Sequence, residues 1–167
     1  MKKNIILIGM PGTGKSTVGV ILAKRLGYDF LDSDLLLARE AGMTLPEILN
    51  SMGVDGFLEL EGRVGAGIKC SGTVIATGGS MVLSPEAMAN LAANGVIVWL
   101  ETRLYELERR INRNPDRGIA AGPNTSVEDI YAVRRPLYEK YADVRIKCRK
   151  GVDPVVAQVL DALRDIL

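Results

Sequence analysis

The residue types and spacings that could do chemistry gather first at Gly9-Met10-Pro11-Gly12-Thr13-Gly14-Lys15-Ser16-Thr17. Glycine, four residues, glycine, lysine and serine is the full phosphate-loop pattern, and it lies between a predicted strand and a predicted helix. Gly9, Gly12 and Gly14 permit a tight loop whose backbone N–H groups point inward at phosphate oxygens. The helix that follows adds the positive end of its dipole. The residues expected to hold a nucleotide here are Gly12, Thr13, Gly14, Lys15, Ser16 and Thr17. Lys15 is expected to reach the β- and γ-phosphates, and the Ser16 hydroxyl to hold Mg2+. A glycine-rich turn without a ligand is the plain alternative, disfavoured because every element of the pattern is present and in context. No Asn-Lys-x-Asp run that could read guanine follows, so ATP is the expected nucleotide.

Phosphoryl transfer needs positioning and charge neutralisation more than covalent chemistry. Asp32 and Asp34 stand at the carboxyl end of a predicted strand, the edge where open α/β sheets bind ligands. One could serve Mg2+ through water while the other orients an acceptor hydroxyl. Helix N-capping by either is the competing reading, and the two uses are compatible. Gly78-Gly79 allows backbone to approach a ligand closely, or makes a plain turn. Arg117 could swing onto the transferred group, with Arg110 and Arg113 nearby; a solvated basic helix end is the alternative. For Arg134 and Arg135 a solvated face is the default.

These residues need elements to position them. Apolar runs predict strands at Asn4–Ile8, Tyr28–Leu31, Thr73–Ala76, Val96–Leu100 and Val144–Cys148. Helical spacing covers Ser16–Leu26, a stretch from Leu35 to about Ala66 broken near Gly42 and Gly53, and Leu104 to Ile111. Ser84-Pro85-Glu86 opens another helix, and Pro154–Leu167 a last one. Residues 112–124 are dense in Gly, Pro and Asn without periodicity and read as a lid. Thr125 and Glu128 resemble a capping box for a helix that Pro136 should kink or split. Alternating strand and helix argue for a parallel sheet covered by helices on both faces, in one domain spanning 1–167.

The 167 residues carry Lys+Arg 21 against Asp+Glu 20, a net charge of +1. Such balance gives no general reason to expect nucleic-acid or membrane partners. Histidine is absent, which excludes Ser-His-Asp and Cys-His nucleophile systems and imidazole zinc sites. Cys70 and Cys148 lack metal-ligand spacing, so a cytoplasmic protein with reduced thiols is expected. The basic-then-apolar start is too short for a signal peptide, and no segment is long enough to span a bilayer.

With these residues in view, the chain resembles the shikimate kinases, small ATP-dependent members of the nucleoside-monophosphate-kinase-like P-loop group. The likeness rests on Gly9–Thr17, Asp32-Ser33-Asp34, Phe57 with Glu61, Gly78-Gly79, Arg117 and Arg134-Arg135-Pro136-Leu137-Tyr138. It implies a three-layer P-loop fold: a five-stranded parallel sheet with a substrate-binding helical region and a lid. It also implies transfer of the γ-phosphoryl of ATP to the 3-hydroxyl of shikimate by a monomer. On that resemblance Lys15, Asp34 and Arg117 are catalytic, with Asp34 orienting the hydroxyl. Asp32 joins Ser16 at Mg2+, and Arg110 stacks on adenine. Gly78 and Gly79 line the substrate, and Arg134 helps bind its carboxylate.

Three departures fall on the acceptor side. The family's Phe-Arg-x-x-Glu is Phe57-Leu58-Glu59-Leu60-Glu61 here, which removes an arginine that binds the substrate carboxylate. Ser80 replaces a third glycine, and Arg117-Gly118-Ile119-Ala120 replaces Arg-Pro-Leu-Leu. A kinase for another hydroxylated metabolite, or a nucleotide-binding regulatory module, are the competing readings.

Overall fold

Five short apolar runs, separated by helical repeats, assemble into a single parallel sheet with helices on both faces. The computed structural model describes residues 2–114 and 118–167. In chain order the elements are β1 (Asn4–Ile8), α1 (Lys15–Leu26), β2 (Asp29–Asp32), α2 (Ser33–Ala41), α3 (Leu45–Gly67) and β3 (Thr73–Ala76). A 3-10 turn (Met81–Leu83) precedes α4 (Pro85–Ala93), β4 (Gly95–Thr102), α5 (Leu104–Asn112), α6 (Val127–Tyr141), β5 (Val144–Cys148) and α7 (Val152–Leu163). The strand order is β2-β3-β1-β4-β5. All pairings are parallel, with Ile5 beside Val74 on one side and Val96 on the other.

β1 is buried at every position because it lies at the centre of the sheet with helices on both sides. Strand alternation sends its side chains into two cores. Ile6 and Ile8 join Ile75, Ile97 and Trp99 under Met88, Leu91, Leu107, Ile130 and Tyr138. Ile5 and Leu7 join Val74, Val96 and Val98 under Val18, Leu22, Val156 and Val159. A third, smaller cluster of Leu37, Ile48, Phe57 and Val64 packs α2 and α3 against Ala120. After β3 the chain crosses to the other side of β1, so the carboxyl end of β1 opens onto the crevice such a reversal creates.

The expected breaks at Gly42 and Gly53 are present. Gly42 ends α2 in the left-handed region (φ 66), and Gly53 (φ 72, ψ −179) interrupts α3. One expectation about α6 requires correction. Its capping box is Ser126 with Asp129, one residue beyond the Thr125–Glu128 pair. The Ser126 hydroxyl accepts from Asp129 N at 3.0 Å, and Ser126 N donates to Asp129 Oδ2 at 3.2 Å. Pro136 lies inside α6 without splitting it. The single helical bond it forfeits is outweighed by tertiary anchoring two residues away, where buried Tyr138 stacks on Trp99 at 5.9 Å between centroids.

Candidate active site

The loop between β1 and α1 has positive φ at Gly9 (149°), Gly12 (83°) and Gly14 (94°). At Gly9 a Cβ would also stand 2.6 Å from the Leu100 carbonyl, so only glycine fits there. α1 begins at Lys15 with no side-chain cap on its first turn, whose N–H groups lack intrahelical acceptors. That is the arrangement an anion-binding helix start requires. Lys15 is buried, and its Nζ donates to the carbonyls of Gly9 (2.7 Å) and Met10 (2.8 Å), which holds it along the loop.

Ser16 and Asp32 meet directly: the Ser16 hydroxyl donates to Asp32 Oδ2 at 2.6 Å. The other oxygen, Asp32 Oδ1, accepts from Asp34 N at 2.9 Å and so caps α2. Capping therefore coexists with a hydroxyl–carboxylate oxygen pair beside the loop. Two hard oxygens suit Mg2+, which prefers few protein ligands and keeps water and phosphate for the rest. No cluster of three or more His, Cys, Asp or Glu able to hold a metal occurs among the described residues.

Arg110, on α5, donates from Nη1 to the Gly12 carbonyl at 2.9 Å and from Nε to Glu106 at 3.1 Å. This seats α5 on the loop. Thr13, expected among the nucleotide ligands, turns its hydroxyl to Leu100 O (3.2 Å) and onto the Thr102 hydroxyl. Its side chain ties the loop to β4.

A cavity of about 350 Å3 joins this loop to the ends of the neighbouring elements. Gly12 and Gly14 to Thr17 line one end; Asp34, Glu61, Thr77, Gly78, Gly79, Ser80 and Arg134 line the other. Leu45, Phe57, Ile119 and Ala120 form an apolar wall. Gly78 N donates to Ser33 Oγ at 2.9 Å, and a Cβ on Gly78 would run into the Asp34 and Glu61 carboxylates. At Gly79 a Cβ would lie 2.7 Å from Pro11. The glycine pair is therefore required by close approach on both sides.

Glu61, on α3, is 2% exposed, and its Oε1 accepts from the Ser80 hydroxyl at 2.5 Å. Burial dominates its titration and, with a smaller push from Asp34, lifts it from the ordinary 4.5 to about 7. The Ser80 hydrogen bond, Arg134 and Lys15 act in the opposite sense. Arg134 is also buried, with Nη2 donating to the Ala120 carbonyl at 3.0 Å. Its neighbour Arg135 pairs with Glu139 at 3.3 Å on the solvent side, and Arg113 is exposed. Arg134 thus turns inward while Arg135 takes the solvated default, and Arg110 reaches the loop from a half-exposed position. Arg117 lies outside the described residues.

Two contacts were not visible in the sequence. Tyr138 donates to the Gly79 carbonyl at 2.6 Å, and burial holds its own hydroxyl well above the usual phenol range. Its signal was the four-residue spacing from Arg134, which puts both on one helix face. Ser80's bond to Glu61 had no such signal. Leu58 does not line the cavity; it is half-buried against the third cluster.

The sequence model of a family described as shikimate kinase matches residues 11–164. A shikimate kinase of Synechococcus sp. (strain RCC307) is 38% identical over 169 residues, covering 98% of this chain and 86% of that protein. Threonine synthase-like 1 of Pongo abelii is 38% identical over 166 residues, and this chain spans only 22% of its length. Among solved structures, the shikimate kinase from Acinetobacter baumannii in complex with shikimate superposes with a TM-score of 0.88 at 32% identity, covering 100% of this chain and 96% of that one.

Proposed function

Because the chain belongs to the shikimate kinase family, we propose that it transfers the γ-phosphoryl group of ATP to the 3-hydroxyl of shikimate. The observation that carries this reading is one cavity lined both by the phosphate loop and by Asp34, Gly78, Gly79 and Arg134. Binding alone does not need a carboxylate facing a phosphate loop; transfer to an alcohol does.

In this mechanism the loop N–H groups from Gly12 to Thr17 hold the phosphates, and Lys15 neutralises charge on the group in transit. Arg110 flanks the nucleotide from α5. Ser16 and Asp32 would hold Mg2+, which when bound offsets phosphate charge. Asp34 orients the acceptor hydroxyl and takes its proton as the new O–P bond forms and ADP leaves. Gly79 offers its N–H to the acceptor, Gly78 lets the chain pass between Asp34 and Glu61, and buried Arg134 faces the acceptor carboxylate. Arg117 is assigned to the transferred group by resemblance. The reading also takes the enzyme as a cytoplasmic monomer acting on small molecules, without nucleic acid or membrane.

A kinase for a different hydroxylated metabolite is the second reading. It is favoured by Leu58, which leaves Leu45, Phe57 and Ile119 as an apolar wall, the one arginine of α3, Arg63, not being among the residues that line the cavity. Screening shikimate beside other hydroxylated metabolites for ADP release separates the two. Stimulation by shikimate is expected; none at millimolar shikimate, with release on another alcohol, would replace the first reading by the second.

A further inference from the structure

Ser80 opens the 3-10 turn but does not cap it, since its side chain accepts no backbone bond there. The hydroxyl instead points across the cavity and donates to Glu61 Oε1 at 2.5 Å. Ser80 is itself 5% exposed and lines the cavity. Glu61 Oε2 is thereby left facing Gly78, on the same side as Asp34 Oδ1. No lysine or arginine pairs with Glu61 within salt-bridge distance among the described residues. Three residues before it on α3, where a long basic side chain would share its helix face, stands Leu58.

We infer that Ser80 is a specificity-determining positioning residue: its hydroxyl holds the buried Glu61 carboxyl in one orientation beside Asp34, and so sets the acceptor end of the cavity. This rests on reading that end as the acceptor site. A buried carboxyl with no cation at salt-bridge distance needs hydrogen bonds to keep its geometry and its charge, and Ser80 supplies one. Five groups face that carboxyl: Lys15 from α1, Asp34 from α2, Arg134 and Tyr138 from α6, and Ser80 itself. Withdrawing the hydroxyl leaves Glu61 free to turn and favours its protonated form. Asp34, the group assigned to the acceptor hydroxyl, would then see both a different shape and a different charge.

The test is Ser80→Ala, followed by steady-state kinetics with shikimate and ATP and by carbon NMR titration of the Glu61 carboxyl, assigned through its loss in Glu61→Gln. The expected result is a KM for shikimate raised about tenfold with the KM for ATP within about twofold, as for loss of one charge-assisted hydrogen bond on the acceptor side. The Glu61 midpoint should move to higher pH. A Leu58→Arg change should lower the shikimate KM more in a Ser80→Gly background than in wild type, because the guanidinium then meets an unoccupied carboxyl oxygen. Equal rises in both KM values, or an unmoved Glu61 midpoint, would overturn the inference. Should wild type not phosphorylate shikimate at all, the acceptor reading fails separately, and the titration alone decides whether Ser80 governs Glu61.

Discussion

Glu61 concentrates the unusual electrostatics of the site in one residue. Its carboxyl, lifted to about 7 by burial, binds a proton in the folded state that it would release near the ordinary 4.5 when unfolded. A raised folded value means the stabilising contribution is complete below about 4.5 and is lost as pH rises through about 7. Glu61→Gln should therefore gain thermal stability relative to wild type across that window and hold a constant advantage above it; a pH series of melting temperatures checks this. Lys15, by contrast, sits on the loop carbonyls and serves charge rather than packing. Lys15→Met should lower kcat by about a hundredfold or more while circular dichroism stays native. Asp34→Asn should lower kcat more than it weakens ATP affinity; the reverse pattern would make Asp34 a metal-holding residue. The loop, Asp32 and Asp34 were legible because their chemistry is written in adjacent residues. The Ser80–Glu61 and Tyr138–Gly79 bonds join positions 19 and 59 residues apart, and no local pattern announces such pairs.

At the scale of elements, strands and helices were readable wherever periodicity and breakers agreed. β1, β3 and β5 fall on the expected residues, and Gly42 and Gly53 interrupt the helices as their freedom at positive φ allows. The misreading sits in α6, at its amino-terminal cap. Pro136 is carried inside the helix between buried Arg134 and Tyr138, and the cap is decided by hydrogen-bond geometry between two adjacent candidate pairs. The corrected cap predicts that Ser126→Ala costs about 1 kcal/mol in urea unfolding, whereas Thr125→Ala costs a few tenths at most. Equal costs would return the cap to Thr125.

For the whole molecule, alternating strand and helix implied a parallel sheet, but the order β2-β3-β1-β4-β5 follows from pairings between distant strands and could not be read from spacing. That order puts the phosphate loop at a reversal point, with segments from 45–61, 77–80 and 118–134 closing the far wall of one cavity. That far wall was the less legible half of the site for the same reason, since it is assembled from three separate stretches of chain. No helix among the described residues is long and apolar enough to cross a membrane. The most direct test is what leaves that cavity. Incubation with ATP, Mg2+ and shikimate, followed by phosphorus NMR of the products, should give one new phosphate monoester on shikimate for each ADP. ADP and inorganic phosphate without that monoester, or no consumption of ATP at millimolar shikimate, would contradict it.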